Sequence, residues 1–188
     1  MRIIAGRFRS RTLQAPAGLS TRPTSDRLRE TLFNVLAPRI EGARLLDLYA
    51  GSGAVGLEAL SRGAASVEFV ERAPAALAAL RKNLSRLGVT AGFRIHCAGV
   101  GSMLRKVKAG TAFDVVFLDP PYDALQEYAA TLGLLGGDAK GLLAEGAVVI
   151  AEHRKKERLE ERYGELTRSR LLEQGDAALS FYAAAMAE

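Results

Sequence analysis

The sequence predicts an α/β fold, a mostly parallel sheet covered by helices on both faces. Three observations predict it. Short apolar runs alternate with helix-like stretches along most of the chain. The run ending at Ala50 passes directly into a glycine turn, Gly51-Ser52-Gly53, and then a helix-like stretch. Finally, 48% of the 188 residues are apolar and 25% charged, which suits one domain large enough to bury its own core. The single cysteine, Cys97, excludes a disulfide framework within the chain and fits a reducing compartment. No apolar run approaches the roughly 20 residues of a membrane span, and MRIIAGRFRSR does not read as a secretory signal. A cytoplasmic location is expected.

The elements follow in order. Around Gly6, the apolar Ile3, Ile4, Phe8 and Leu13 are interleaved with Arg2, Arg7, Arg9 and Arg11, the pattern of a short β-hairpin with one basic face. Pro16, Gly18 and Pro23 mark a loop, so residues 1–22 form an N-terminal hairpin-and-loop unit and 23–188 the α/β domain. Thr24 or Ser25 caps a helix whose apolar face is Leu28, Leu32, Phe33, Val35 and Leu36, stopped before Pro38. Strands are predicted at Ala43–Ala50, Ala65–Glu71, Phe93–His96, Phe113–Leu118, Ala147–Glu152 and near Ala178–Tyr182, the last antiparallel. Helices are predicted at Val55–Arg62 and, Ala/Leu-rich, up to about Leu87. The charged run Glu152–Arg162 reads as a solvated helix face.

The net charge of +5 is not evenly spread. Residues 1–44 hold nine Arg, no Lys and three acids, a net of +6, leaving the rest of the chain at −1. Such asymmetry points to a polyanion partner gripped by the N-terminal segment. The exclusive use of Arg strengthens that reading, because its planar fork matches phosphate and base edges.

Asp47-Leu48-Tyr49-Ala50-Gly51-Ser52-Gly53 joins a buried strand to a helix, and Glu71 ends the next strand. The glycines permit a sharp turn and close backbone approach, the helix offers free amides, and a terminal acid can accept from a ribose diol. Gly51, Gly53 and Gly56 also match the spacing of a dinucleotide fingerprint, so a nicotinamide oxidoreductase is the competing reading. Asp47 argues against it. A carboxylate suits a cationic cofactor such as S-adenosylmethionine better than a pyrophosphate.

Asp119-Pro120-Pro121-Tyr122 follows the strand Phe113–Leu118, at the sheet edge where α/β folds bind ligands. The Asp119 carboxylate and the Pro120 carbonyl can both accept from an exocyclic NH₂, aligning its lone pair with a methyl donor. Tyr122 can stack on an extruded base.

Asp119–Tyr122 resembles the [DNS]PP[YFW] motif of amino-group methyltransferases with the class I, Rossmann-like S-adenosylmethionine fold. Arg2–Gly6, the stretch Arg22–Asn34, Asp47–Gly53 with Gly56–Gly63, and Gly175–Tyr182 are together similar to the RsmD family of 16S rRNA guanine-N2 methyltransferases. The resemblance implies methyl transfer from S-adenosylmethionine to one guanine N2 of 16S rRNA, within an assembled or assembling 30S subunit, by a monomeric enzyme. It implies Asp47, Tyr49, Gly51, Ser52 and Gly53 around the cofactor, Glu71 at its ribose, and Asp119, Pro120 and Tyr122 at the target base. Thr24 and Asp26 become candidate contacts or structural ties beside the cofactor. Arg2, Arg7, Arg9, Arg11 and Arg22 would grip the RNA. Many class I enzymes place an acidic or amide side chain after the third strand to meet the adenine. Here Gly99 stands at that place, so adenine contact falls to the backbone near Ala98 and Gly99.

Two alternatives use the same residues: an adenine-N6 DNA methyltransferase, and a non-catalytic ribosome assembly factor. The short chain beyond the motifs argues against the first, and the intact motifs argue against the second. No pair of residues has metal-ligand spacing, so no metal is expected. His96 and His153 read as surface or satisfied histidines, Cys97 as a small buried residue and Asn34 as structural. Glu58 reads as an exposed salt-bridge former or a ligand.

Overall fold

The computed structural model describes residues 1–16, 25–106, 112–121 and 124–184. Eight strands form one sheet in the order β3-β2-β1-β4-β5-β8-β7-β6. The strands are β1 (Arg44–Leu48), β2 (Ser66–Glu71), β3 (Phe93–Cys97), β4 (Phe113–Leu118), β5 (Leu143–Arg154), β6 (Arg162–Tyr163), β7 (Leu166–Gln174) and β8 (Ala177–Ala184). Strands β1 to β5 pair in parallel. The other three pair antiparallel along one edge.

The parallel strands are apolar runs because helices cover both of their faces. One face packs against α1 (Asp26–Ile40), α2 (Ala54–Ser61) and α3 (Pro74–Leu87), with Leu32, Phe33, Leu57 and Leu80 meeting Leu45, Phe69 and Phe117. The other packs against α4 (Val100–Lys106) and α5 (Leu125–Leu135), with Met103, Tyr128 and Leu132 meeting Leu46, Val116 and Leu118.

The N-terminal segment is joined to the first of these cores. Its turn carries one antiparallel bridge, Arg2 with Thr12, and Ile3 and Leu13 are buried among α1–α3 side chains. Burial of each aliphatic side chain is worth about 1.5–3 kcal/mol. Gly6 sits so close to α2 that a Cβ there would lie 1.9 Å from the Ser61 carbonyl oxygen.

Three expectations are corrected. Helix α1 runs through Pro38 to Ile40; a proline in the last turn removes only one intrahelical bond. The Ser25 hydroxyl caps its start, accepting from the Leu28 amide at 3.1 Å. The charged run does not begin as a helix: Glu152, His153 and Arg154 continue β5 and pair with Leu179, Ala178 and Ala177 of β8, and a turn follows. Sheet pairing overrides the local helical preference of a Glu/Lys/Arg-rich stretch. Cys97 is exposed at the end of edge strand β3 instead of buried, with Arg81 Nη2 3.4 Å from its sulfur.

Candidate functional site

In this sheet the strand order reverses between β1 and β4, which opens a crevice outside their C-terminal ends. Alternation along each strand then decides what faces it. Phe69, Leu45, Phe117 and Ile150 all point to the α1–α3 side. Two residues beyond each stand Glu71, Asp47, Asp119 and Glu152, on the adjacent strand ends β2, β1, β4 and β5. Four carboxylates thus line one rim of the sheet. The residue preceding Asp119 is Leu118, paired with Ala151 beside Glu152. Burial, and then the charges of Glu152 and Asp47, push the Asp119 carboxyl well above the usual carboxylate range.

The turn between β1 and α2 needs three left-handed residues, Tyr49 (φ 61°), Gly51 (φ 55°) and Gly53 (φ 81°). Glycine meets that requirement at two of them without strain. Tyr49 is held there by its hydroxyl, which donates to Glu127 Oε2 at 2.8 Å and lies 2.7 Å from Thr131 Oγ1 on α5. At Gly56 a Cβ would lie 2.3 Å from the Phe69 ring, so this glycine lets α2 approach the sheet.

Asp47 and Glu71 fasten the turn from below. Asp47, 2% exposed, accepts the Gly56 amide at 3.0 Å. Burial raises its pKa to about 7 despite that hydrogen bond, and Glu71 adds to the rise. Glu71 accepts the Gly51 amide at 2.9 Å and the Arg72 and Ala73 amides at 2.7 Å. Three of a carboxylate's roughly four acceptor positions are therefore used, and one remains for a ligand. Ser52 is buried, and its carbonyl accepts from Asn83 Nδ2 at 3.0 Å.

The donor set suits an S-adenosyl cofactor. A Cβ at Gly51 would meet only the Tyr49 carbonyl at 4.0 Å, and one at Gly99 would meet nothing within 4 Å, so both backbones face open space. The Gly99 carbonyl accepts the Met103 amide at 3.0 Å and so starts α4, with Ala98 joining that helix to β3. With its pKa raised to about 7, the buried Asp47 carboxyl is in place to be held ionised by, and so to balance, a cationic ligand.

Asp47→Asn tests the charge. The folded pKa of about 7 lies above the ordinary 3.8, so ionising Asp47 costs stability progressively as pH rises from about 4 to 7. An amide oxygen can still accept from Gly56. Thermal melts should show this variant more stable than the parent at pH 8, by at most about 4 kcal/mol, and not at pH 4. Affinity for S-adenosylhomocysteine, which lacks the sulfonium charge, should fall less than that for S-adenosylmethionine.

Arg2, Arg7, Arg9 and Arg11 are exposed on the N-terminal segment, and the Arg7 guanidinium lies 4.3 Å over the Phe8 ring. Asp26, at the start of α1, bonds Arg29 Nη2 at 2.9 Å, a structural tie. Tyr122, Arg22 and Thr24 lie outside the described residues.

The largest correction concerns Glu58, which is fully buried and not a surface pair. It accepts the Ile4 amide at 2.8 Å, the Ala5 amide at 3.0 Å and Arg62 Nε at 2.7 Å, with the buried Arg29 Nε 3.7 Å away. The signal was present: α2, Ala54–Ser61, is apolar on every side of Glu58, as helices buried all round are. Asn83 and Glu152 had no comparable signal, because their importance comes from neighbours distant in sequence.

A family model described as "Conserved hypothetical protein 95" matches residues 1–183. Ribosomal RNA small subunit methyltransferase D of Escherichia coli (strain K12) is 42% identical over 154 residues, 81% of this chain and 74% of that protein. The chain belongs to the RsmD family. The Bacillus subtilis protein YlbH is 38% identical over 183 residues, 97% of this chain and 98% of its own. Among solved structures, Escherichia coli yhhF superposes with a TM-score of 0.83 at 37% identity, covering 97% of this chain and 96% of its own. Among its RsmD family relatives this likeness bears out the fold expected from the sequence, with three antiparallel edge strands where one was expected.

Proposed function

We propose that the protein transfers a methyl group from S-adenosylmethionine to the exocyclic N2 of a guanine in small-subunit rRNA. The observation that carries the reading is Asp119-Pro120 at the sheet's switch point, beside the glycine turn of β1. The Escherichia coli relative named for small-subunit rRNA methylation supports the substrate class. The rRNA is presented in the assembled or assembling 30S particle, and the protein acts as a monomer in the cytoplasm. Among the described residues no helix is long and apolar enough to cross a membrane.

The turn backbone from Asp47 to Gly53, Tyr49 and Ser52 included, would hold the methionine end of the cofactor, Glu71 its ribose, and the backbone at Ala98 and Gly99 its adenine. When bound, the cofactor supplies an electrophilic methyl group. Asp119 and the Pro120 carbonyl accept the two hydrogens of the guanine amine. This turns its nitrogen lone pair toward the methyl donor and stabilises the positive charge that grows on that nitrogen. Tyr122 stacks on the flipped base. The methylated amine then loses a proton to water. Only the ionised Asp119 carboxylate offsets the positive charge growing on the amine, so its raised pKa places an acid-side limit on the reaction.

Incubation with labelled S-adenosylmethionine and, separately, small subunits, naked rRNA or DNA tests the reading; label in DNA alone overturns it. The basic segment makes a separate prediction. Replacing Arg7, Arg9 and Arg11 by Ala should weaken rRNA binding and flatten its salt dependence, by about one unit of log–log slope for each phosphate no longer neutralised. Cofactor affinity should not change, and filter binding across a salt series measures the difference.

A further inference from the structure

We infer that Asn83 is a positioning residue that holds the RNA-gripping segment and the cofactor turn in one arrangement. The inference rests on the methyltransferase reading above. Asn83 projects from the middle of α3 and is fully buried. Its Oδ1 accepts the Gln14 amide at 2.8 Å, and its Nδ2 donates to the Gln14 carbonyl at 3.0 Å. The same Nδ2 donates to the Ser52 carbonyl at 3.0 Å. One amide side chain thus binds both backbone groups of Gln14 and the centre of the glycine turn.

The two things it joins have different tasks. Gln14 follows directly on the segment that carries Arg2, Arg7, Arg9 and Arg11, one residue after the buried Leu13. Ser52 lies between Gly51 and Gly53, the residues whose left-handed backbone shapes the turn. A side-chain amide offers two donor hydrogens and two acceptor lone pairs, and only Asn or Gln supplies two donors beside an acceptor. Aspartate in its place would set acceptor against acceptor at both carbonyls. In a buried site such a mismatch cannot be relieved by water. Because catalysis depends on geometry at the ångström level, a shift of the turn relative to the bound RNA would be felt in ligand affinity as well as turnover.

The test compares three variants of the full-length protein with wild type by calorimetry with S-adenosylhomocysteine, rRNA filter binding and thermal melts. Asn83→Asp should raise both dissociation constants about tenfold or more. Gln14→Pro, at an exposed position, removes the amide that donates to Asn83 and leaves the Ser52 contact. It should weaken rRNA binding and leave S-adenosylhomocysteine affinity near wild type. Ala79→Gly, one turn earlier on the same helix, lowers the melting temperature without touching either carbonyl, and should leave both affinities unchanged. If Asn83→Asp loses no more affinity than Ala79→Gly at matched melting temperature, Asn83 is only structural and the inference fails. If Gln14→Pro and Asn83→Asp lose cofactor affinity equally, the separation of the two contacts fails. If the wild type itself binds no S-adenosylhomocysteine, the methyltransferase reading fails first and takes this inference with it.

Discussion

Asp119→Ala should lower methyl transfer by about 10²–10³-fold, the cost of removing one preorganised group that stabilises charge in the transition state. Binding of S-adenosylhomocysteine should stay close to wild type, because the cofactor turn is held by Asp47, Glu71 and Asn83. The variant should also fold at least as well as its parent. Burial and the neighbouring Glu152 and Asp47 charges make an ionised carboxyl costly at this place, so removing it spares the fold that cost. Stability kept and turnover lost is the pattern of a group used in the reaction itself. Single-turnover kinetics with saturating cofactor, beside a thermal melt, separates the two.

The second large effect is on stability. Glu58→Ala should destabilise the protein by about 3–5 kcal/mol, because breaking a buried pair leaves the partner charge uncompensated. Arg29 is fully buried and would keep only Asp26 as a carboxylate partner, through a bond whose acid is itself partly exposed. The Ile4 and Ala5 amides would lose their acceptor at the same time. At about 2–4 °C per kcal/mol for a chain of this size, the melting temperature should fall by roughly 6–20 °C. Limited proteolysis should cut first within the N-terminal segment, since Glu58 and Ser61 are its main polar attachments to α2. Glu58→Gln keeps one acceptor oxygen and should lose less.

What could be read from the sequence follows from where the signals lie. The parallel core was legible because β1, β2 and β4 are short apolar runs with turn residues after them, and the glycine turn marks where the first helix begins. Asp47 and Asp119 were each legible at a strand end, but that β1 and β4 are neighbours, which brings the two to one rim, emerges only in the folded sheet. Beyond the antiparallel last strand, β8, the edge was not legible. In β7 most residues are exposed, so no apolar alternation marks it, and β6 is two residues long. Helix α5 did carry a signal in the buried Tyr128, Thr131, Leu132 and Leu135, at helical spacing, though the proline turn before it draws attention away. The burial of Glu58 was legible in α2, but its partners, like those of Asn83, could not be read in any local window. Each joins residues more than fifty positions apart, and such pairings exist only once the chain has folded.

The division of charge also acquires a structural cause. The arginines sit on a segment that is not a separate appendage: Ile3 and Leu13 enter the α1–α3 core and Gly6 lies against the Ser61 carbonyl. A basic surface is thereby fixed relative to the crevice, and the segment and the cofactor turn meet through the same helices.

The most direct measurement is nucleoside analysis of small-subunit rRNA after incubation of immature particles with the protein and labelled S-adenosylmethionine. Label is expected in N2-methylguanosine at one position, reduced by about 10²–10³-fold when Asp119→Ala replaces the wild type. Label in a methylated adenine, or label in N2-methylguanosine undiminished by Asp119→Ala, would contradict that expectation.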